Sequence, residues 1–482
     1  MSARAPSLVL ALDLGSSSVR TALFTENGQR LLPSSASWKY ALQYRPDGAA
    51  ELPAPLLLQA TKRCLNKTLR WRRDSTIWRK IPIVAVGGSA FWHGLLALGR
   101  RSQPLSPIFT WADSRSAADA RALRAKLSER AIQLRTGCML RSPFWPAKLR
   151  WLRRTQPALW KQTATWASPA DWIYHELFGS TATSHSMASG TGLYDLAAAT
   201  WDLELCKICH LDLNQLAQLD DKASPEKMWH ADLSGARIFT AIGDGAAGNL
   251  GSGVDDAGQI AINLGTSAAA RSICSKRRAL KTLPPGLFRY VVDRERVVIG
   301  GATSNSGNLR RWFLRELQLP EDRAEHALSR AAAATDTLCV LPFWVSERAP
   351  SWPEEVRGTI TGLTPATTAA EIFRAATVSS YYRLAEIVRA LDPRCASAII
   401  VSGGVSHSPS SLRILADCLG RDLRVCREPE SSLRGAAVRA STALGFVVKS
   451  LRPGRLVRQN SALAALHRSR RLRQSELERR LR

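Results

Sequence analysis

The chain has 482 residues, 45% hydrophobic and 22% charged, with a formal net charge of +27 at pH 7. That length is too great for one ordinary core and predicts two large domains, while no apolar run approaches the roughly 20 residues of a membrane span. Nine cysteines without a spacing pattern fit a reducing compartment, so a cytoplasmic enzyme is expected. The charge raises nucleic acid or anionic lipid as partners. The basic residues are scattered, however, and nowhere interleaved with aromatics and glycine as on an RNA-binding sheet. Neither a dedicated nucleic-acid partner nor a membrane is expected.

The opening MSARAPSLVLALDLG puts a basic residue before a short apolar run that flows into a Gly–Ser turn. It reads as a first strand rather than a secretory leader. Strands are predicted at 9–12 and 19–24, a helix at 55–71, and a strand at 83–86 that runs into Gly87-Gly88-Ser89. Helical spacing covers 116–135 and 146–162. Beyond a boundary near 239–248 come strands at 260–264 and 297–299 and a helix at 306–317. A long helix at 369–391 lies between Pro365 and Pro393. A strand at 398–401 then enters Gly403-Gly404 and is followed by a helix at 410–419. Strands alternating with helices mean α/β architecture. The expected division is 1–243, 244–450 and a basic tail at 451–482. From Arg452 onward that tail holds ten Arg and two Glu, and Leu463, Leu466, Leu472, Leu477 and Leu481 recur at roughly helical spacing, which predicts a packed terminal helix.

One pattern is written twice. Residues 10–24 read LALDLGSSSVRTALF and residues 260–271 read IAINLGTSAAAR. Each is an apolar strand run, then Asp or Asn, Leu, Gly and a hydroxyl cluster. Such a turn aims backbone N–H groups and hydroxyls into its crook, a concavity that favours phosphate. Two copies half a chain apart predict two lobes gripping a polyphosphate across a cleft. Asp244 is flanked by glycine on both sides in AIGDGAAGNLG (241–251), where the backbone turns tightly and something comes close. Alone it reads as a helix cap. At the domain junction, shortly before the second turn, it becomes a candidate base for a hydroxyl attacking a phosphoryl group. Asp13, beside the first turn, is a candidate Mg²⁺ carboxylate or a turn residue. Trp92, His93, Trp111, Asp113 and Arg115 follow strands and are candidates for sugar hydroxyls, with Arg115 and His93 also able to meet a substrate carboxylate and Arg115 alternatively a structural partner of Asp113 or Asp119. The Cys206-x-x-Cys209-His210 spacing matches haem attachment but occurs once, in an apparent helix, and is set aside. No G-x-x-x-x-G-K-[ST] loop is present.

Ten collinear segments give the chain its resemblance to a known family. They are DLGSSSVR (13–20), FWHGLL (91–96), PLSPIFTWADSRS (104–116), WPAKLRWLR (145–153), SGTGLYD (189–195), IGDGAAGNLGSG (242–253), INLGTSAA (262–269), LPFWVSERAPSWPEEVRG (341–358), VSGGVSHSPSSLRILADCLG (401–420) and RGAAVRA (434–440). Together they resemble the FGGY carbohydrate kinases, and the FWHGLL, TWADSRS, WPAKL and GDGAAGNLGSG forms are most similar to gluconokinases. The resemblance implies a two-lobed, actin-like (ribonuclease H-like) ATPase fold with an active site between the lobes. It implies Asp244 as catalytic base, Trp92, His93, Asp113 and Arg115 at the sugar, and Asp13 helping to place Mg²⁺. Gly15, Ser16, Ser17, Ser18, Gly265, Thr266 and Ser267 would hold ATP phosphates, and Gly403 and Gly404 would border the adenine site. ATP-dependent phosphorylation of gluconate is the favoured reading. Xylulose, ribulose or glycerol as substrate, and a catalytically silent nucleotide-binding regulator, stay open, and the sequence allows a homodimer.

The chain departs from the family in three places. Ser411 and Arg413 replace the usual Trp and Gln after the adenine-site glycines, Ser346 replaces a Gly before Glu347-Arg348, and Arg100–Gln103 replaces an acidic or Gly-containing hairpin.

Overall fold

The computed structural model describes residues 6–279, 282–330, 337–353, 355–452 and 454–482, so the first five residues, and Glu354 of the 341–358 motif, lie outside it. Two mixed sheets organise the molecule. In the first, strand Leu8–Leu14 pairs antiparallel with Ser18–Thr25, which pairs with Ala36–Lys39. On its other side Leu8–Leu14 pairs parallel with Ile83–Ala90, which carries Arg237–Ile238 and Ile242–Gly243 beyond it. In the second, strand Gln259–Leu264 pairs antiparallel with Ala268–Ser275 and parallel with Ala398–Gly403. Arg296–Thr303 and Phe288–Val291 extend one edge, Leu423–Val425 and Leu456–Val457 the other. The duplicated motif is therefore a duplicated core, a hairpin with a parallel strand beside its first arm.

The duplication extends to single hydrogen bonds. Asp13 faces Ser89 across the parallel pair, and Ser89 Oγ donates to Asp13 Oδ1 at 2.6 Å. Asn263 faces Ser402 in the second sheet, and Asn263 Nδ2 donates to Ser402 Oγ at 3.1 Å.

Strand Leu8–Leu14 is buried along its whole length because both faces are covered. Leu8, Leu10, Leu12 and Leu14 join the cluster that holds Leu57, Leu65 and Leu69 of helix Ala54–Asp74. Val9 and Ala11 join Leu433, Ala436, Ala437 and Ala440 of helix Ser431–Ala443. That second helix comes from the far end of the chain, so the second half closes the core of the first. It also crosses helix Asp244–Gly251 backbone to backbone. A Cβ on Gly251 would sit 1.7 Å from the Ser431 carbonyl, and one on Gly435 would sit 1.8 Å from the Ala247 carbonyl. Glycine in the GNLGSG and RGAAVRA segments is what lets this crossing form.

The long helix is Ala369–Leu391, opened by a capping box between Thr368 and Glu371. The helical pattern at 116–135 resolves into Ala117–Arg124 and Glu129–Thr136, the second started by Ser128 accepting from the Ala131 N–H. That at 146–162 breaks at Pro157, which starts a new helix, Pro157–Gln162, after Trp145–Thr155. Cys206 and Cys209 are buried in the apolar cluster around Trp201 and Leu205.

The last helix, Ser461–Arg480, is seated differently from its leucine spacing. Its buried face is His467, Arg471, Gln474 and Glu478, while Leu472 and Leu481 are exposed. Glu478 accepts from Arg383 at 2.6 Å and from Ser351 at 2.5 Å, and Arg471 pairs with Glu386 at 2.7 Å. Polar pairing to helix Ala369–Leu391 and to Ser351 supplies its buried face, while Leu477 packs against Leu341, Phe343 and Val356. Among the described residues no helix is long and apolar enough to cross a membrane.

Candidate active site

Both Gly–hydroxyl turns close through the glycine N–H, the first onto the residue three positions on and the second onto the residue two positions on. Gly15 N–H donates to Ser18 O at 2.9 Å, and Gly265 N–H donates to Ser267 O at 2.9 Å. Ser16 from one turn and Ser267 from the other face a single cavity of about 130 Å³. Gly265 and Thr266 face a second cavity of about 320 Å³, whose walls include Gly307, Thr377, Tyr381, Gly404 and Ser411. The second turn thus stands between the two. Gly307 N–H donates to Gly265 O at 3.1 Å, which docks the start of helix Gly307–Glu316 on that turn. Gly403 has φ 92°, a left-handed conformation suited to glycine, where strand Ala398–Gly403 leaves the sheet. Ser411, which departs from the family pattern expected from the sequence, lines the larger cavity. Asp13 is buried, accepts from Ser89, and lies 3.5 Å from Arg20, which in turn pairs with Glu430. Burial raises its pKa above the usual carboxylate value.

Asp244 begins helix Asp244–Gly251 and lines the smaller cavity. Its glycine neighbours make room for an indole. A Cβ on Gly243 would lie 1.7 Å from the Trp92 ring, and one on Gly245 would lie 2.6 Å from it. Trp92 is anchored by its Nε1–H donating to Ser186 O at 2.9 Å. What comes close at the Gly-Asp-Gly turn is therefore Trp92, which backs the carboxylate and shields it from water on that side. Burial pushes the Asp244 pKa up, with the Arg271 guanidinium opposing it.

His93 follows at φ 68°, a conformation costly for a residue other than glycine and concentrated at functional sites. Its Nδ1 lies 2.6 Å from Gly190 O, so Nδ1 carries the proton and Nε2 is left as an acceptor. Burial lowers its pKa to about 3, which keeps the ring neutral. The His93 loop is held from behind by Lys148, whose ammonium donates to His93 O at 2.7 Å, Phe109 O at 3.2 Å and Thr110 O at 2.7 Å. The Lys of the WPAKL segment is thus a buried clamp joining the His93 and Trp111 loops, a role its sequence context does not announce.

Trp92, His93, Trp111 and Asp244 share the cavity wall. Asp113 and Arg115 do not join them. Arg115 donates to Asp113 at 2.5 and 3.1 Å and to Glu51 at 2.5 Å, and its guanidinium carbon lies 4.5 Å from the Trp151 ring centroid. Of the two readings of Arg115, the geometry favours the structural one: its Nε and Nη2 are paired with two buried acids away from the cavity, and the trio ties the 113–115 loop to strand Ala50–Leu52. Asp113, held in the same pairing, does not line the cavity.

Sequence reasoning missed two cations on the cavity wall, Arg271 and Arg348. Arg271 sits on strand Ala268–Ser275 inside the duplicated motif. Period-2 alternation from Ser267 through Ala269 carries it to the cavity side, while Ala270 enters the core. That signal was readable. Arg348 donates through Nε to Ser304 Oγ at 3.1 Å and through Nη2 to Thr303 O at 2.9 Å, and its Cζ lies 4.5 Å from the Trp111 ring centroid. Its neighbour Glu347 accepts from Ser304 N–H, Asn305 Nδ2 and Arg348 N–H, which fixes the loop. Only tertiary packing brings residues 111 and 348 together, so no local pattern could have shown it.

The comparisons agree with this layout. Residues 8–251 match the N-terminal domain of the FGGY family of carbohydrate kinases, and residues 260–444 match its C-terminal domain. The chain is 27% identical over 466 residues to a gluconokinase of Bacillus subtilis (strain 168), covering 92% of this chain and 88% of that one. It is 22% identical over 447 residues to a xylulose kinase of Staphylococcus xylosus, covering 90% of each. A gluconate kinase structure from Lactobacillus acidophilus matches with a TM-score of 0.87 at 24% identity, over 99% of this chain and 98% of that one. The fold is the two-lobed, actin-like one. With both domains matched in order, and the duplicated turns meeting at one cavity, the chain belongs to the FGGY family of carbohydrate kinases.

Proposed function

We propose that this kinase phosphorylates a sugar acid at the expense of ATP, with D-gluconate the favoured substrate and 6-phosphogluconate the product. The observation that carries the reading is the meeting of Asp244, both Gly–hydroxyl turns and two guanidinium groups around one small cavity next to a larger one.

The residues present fit ATP and Mg²⁺. The larger cavity is floored by close backbone: a Cβ on Gly307 would lie 2.4 Å from Gly265 O. Asp13 keeps acceptor capacity beyond its Ser89 bond, and a single carboxylate suits an ion that retains most of its waters. When bound, Mg·ATP would supply the phosphoryl group and balance its charge.

The chain's own residues do the rest. Asp244 accepts the proton of the attacking primary hydroxyl, a general-base role typically worth ~10²–10⁴ in rate. His93 Nε2 accepts a hydrogen bond from a second hydroxyl and so helps to fix the polyol chain. Ser16 and Ser267, with the N–H groups that the two turns leave free, face the transferring group from both lobes. Trp92 and Tyr290, whose rings lie 4.7 Å apart, keep the back of the cavity dry.

The test is a kinase assay with ATP across about a dozen sugars, polyols and sugar acids. Highest kcat/KM on gluconate supports the reading. Turnover confined to xylulose, ribulose or glycerol overturns the sugar-acid part. No turnover with any acceptor, together with intact ATP binding, would make the chain a silent nucleotide-binding regulator.

A further inference from the structure

A cavity wall that carries two guanidinium groups and one carboxylate has an excess of positive charge. Asp244, Arg271 and Arg348 are its charged side chains. Arg271 makes no side-chain hydrogen bond or ion pair with any described residue, and its Nε is buried without a partner. Asp244 is its charged neighbour, but one carboxylate cannot balance two guanidinium groups, and a net charge away from water is costly unless something supplies the counter-charge. Arg348 is only partly engaged. Nε and Nη2 are spent on Ser304 and Thr303, which set the plane of the guanidinium, while Nη1 has no hydrogen-bond partner among the described residues. The Trp111 ring against its face holds that plane from the opposite lobe. Burial lowers the pKa of both arginines, that of Arg348 to about 10, and guanidinium groups stay protonated in proteins.

We propose that Arg271 and Arg348 form the carboxylate subsite of the sugar-acid site, and that Arg115 takes no part in it; this rests on the sugar-acid reading above. Two fixed guanidinium groups offer more donors than one carboxylate needs, and charge-assisted N–H···O bonds are the strong kind. Asp244 offsets one of the two guanidinium charges, so a neutral polyol in the same cavity would leave the wall one positive charge in excess, and the wall selects against it as well as for an acid. Because Trp111 and Arg348 come from opposite lobes, the subsite is complete only when the lobes are together.

The other anion in the reaction is the transferring phosphoryl group. Neither arginine lines the nucleotide cavity, where Arg310 and Arg311 do. We therefore assign the pair to the substrate's carboxylate and let the kinetics separate the two sources.

The experiment compares gluconate with gluconamide, the same chain without the charge, as substrate or competitive inhibitor under saturating Mg·ATP. The proteins are wild type, Arg271→Met, Arg348→Met, Arg348→Lys and Arg115→Met, with melting curves as the folding control. Wild type should prefer gluconate, and each Met variant at 271 or 348 should raise KM for gluconate about ten- to a hundredfold while gluconamide changes by less than about threefold. Arg348→Lys keeps the charge and should recover part of the preference; if Arg348→Met fails to fold, Arg348→Lys and Arg271→Met decide. Equal losses on gluconate and gluconamide overturn the subsite and leave the sugar-acid reading intact. A fall in kcat on every acceptor with KM unchanged assigns the arginines to the phosphoryl group and also overturns it. Wild-type turnover of neutral sugars alone removes the sugar-acid reading, and the subsite with it.

Discussion

Replacing Arg115 with Met separates a structural arginine from a substrate-binding one. Its side chain is 11% exposed, and its partners Glu51 and Asp113 are 6% and 3% exposed. The substitution leaves Asp113 without its cation, and leaves Glu51 with Arg45 alone, at 2.8 Å. Removing one partner of a buried pair costs about 3–5 kcal/mol. Loss of the stacked contact with Trp151, whose ring centroid lies 4.5 Å from Cζ, adds up to about 1 kcal/mol. For a lobe of some 250 residues, each kcal/mol is worth roughly 2–4 °C in Tm, so the variant should melt on the order of 10 °C lower. Differential scanning calorimetry gives that number. Steady-state kinetics on gluconate and xylulose below the new transition should then show losses of the same size on both. A variant that melts like wild type but loses tenfold or more in KM for gluconate alone would refute the structural assignment of Arg115.

Further outcomes follow from the same geometry. Gly243→Ala puts a methyl 1.7 Å from the Trp92 ring; overpacking of this kind costs about 1–3 kcal/mol, and because Asp244 is the next residue, activity should fall by far more than stability, as measured by kcat/KM against Tm. Burial raises the pKa of Asp244, and the base must be deprotonated, so kcat/KM should fall as pH drops, with a midpoint above the ordinary aspartate value. His93, pushed down to about 3, stays neutral throughout, so a bend near pH 6.5 that disappears in His93→Asn would contradict its neutral-acceptor role. Deleting residues 468–482 leaves the buried Arg383 without Glu478, a loss of about 3–5 kcal/mol, with the gluconate-to-xylulose preference unchanged; a tail that can be removed without lowering Tm would contradict its packing.

Much of the architecture is legible because it rests on local rules. Strand Leu8–Leu14 is apolar except for Asp13 because helices cover both its faces, and its twin at Gln259–Leu264 announces itself by the same Leu-Gly-hydroxyl ending. Helix Ala369–Leu391 begins at a Thr–Glu capping box two residues short of any ambiguity, and Pro393 follows it. The Gly-Asp-Gly turn was readable as a close approach, but not that the approaching group is Trp92, because residue 92 comes from another strand's end. Arg115 misled for a related reason. A lone Arg beside an Asp reads equally as a ligand or as an ion pair, and only the neighbouring Glu51, brought in by strand Ala50–Leu52, decides. Arg271 was within reach of a period-2 count along its strand. Arg348 was not, since its significance lies in Trp111 from the other lobe. The terminal helix shows the limit of apolar spacing as a guide: in so arginine-rich a segment the seat is made by Arg471, Gln474 and Glu478, which a hydrophobic count cannot see.

The central claim is that Asp244 is the base of a phosphoryl transfer in the cavity between the two turns. Asp244→Asn keeps the shape and the Trp92 contact while removing the proton acceptor. Single-turnover phosphorylation of the best acceptor, measured beside ATP binding and Tm, should fall by about 10²–10⁴ with binding and melting unchanged. A variant that keeps more than about a tenth of the wild-type rate would contradict the account.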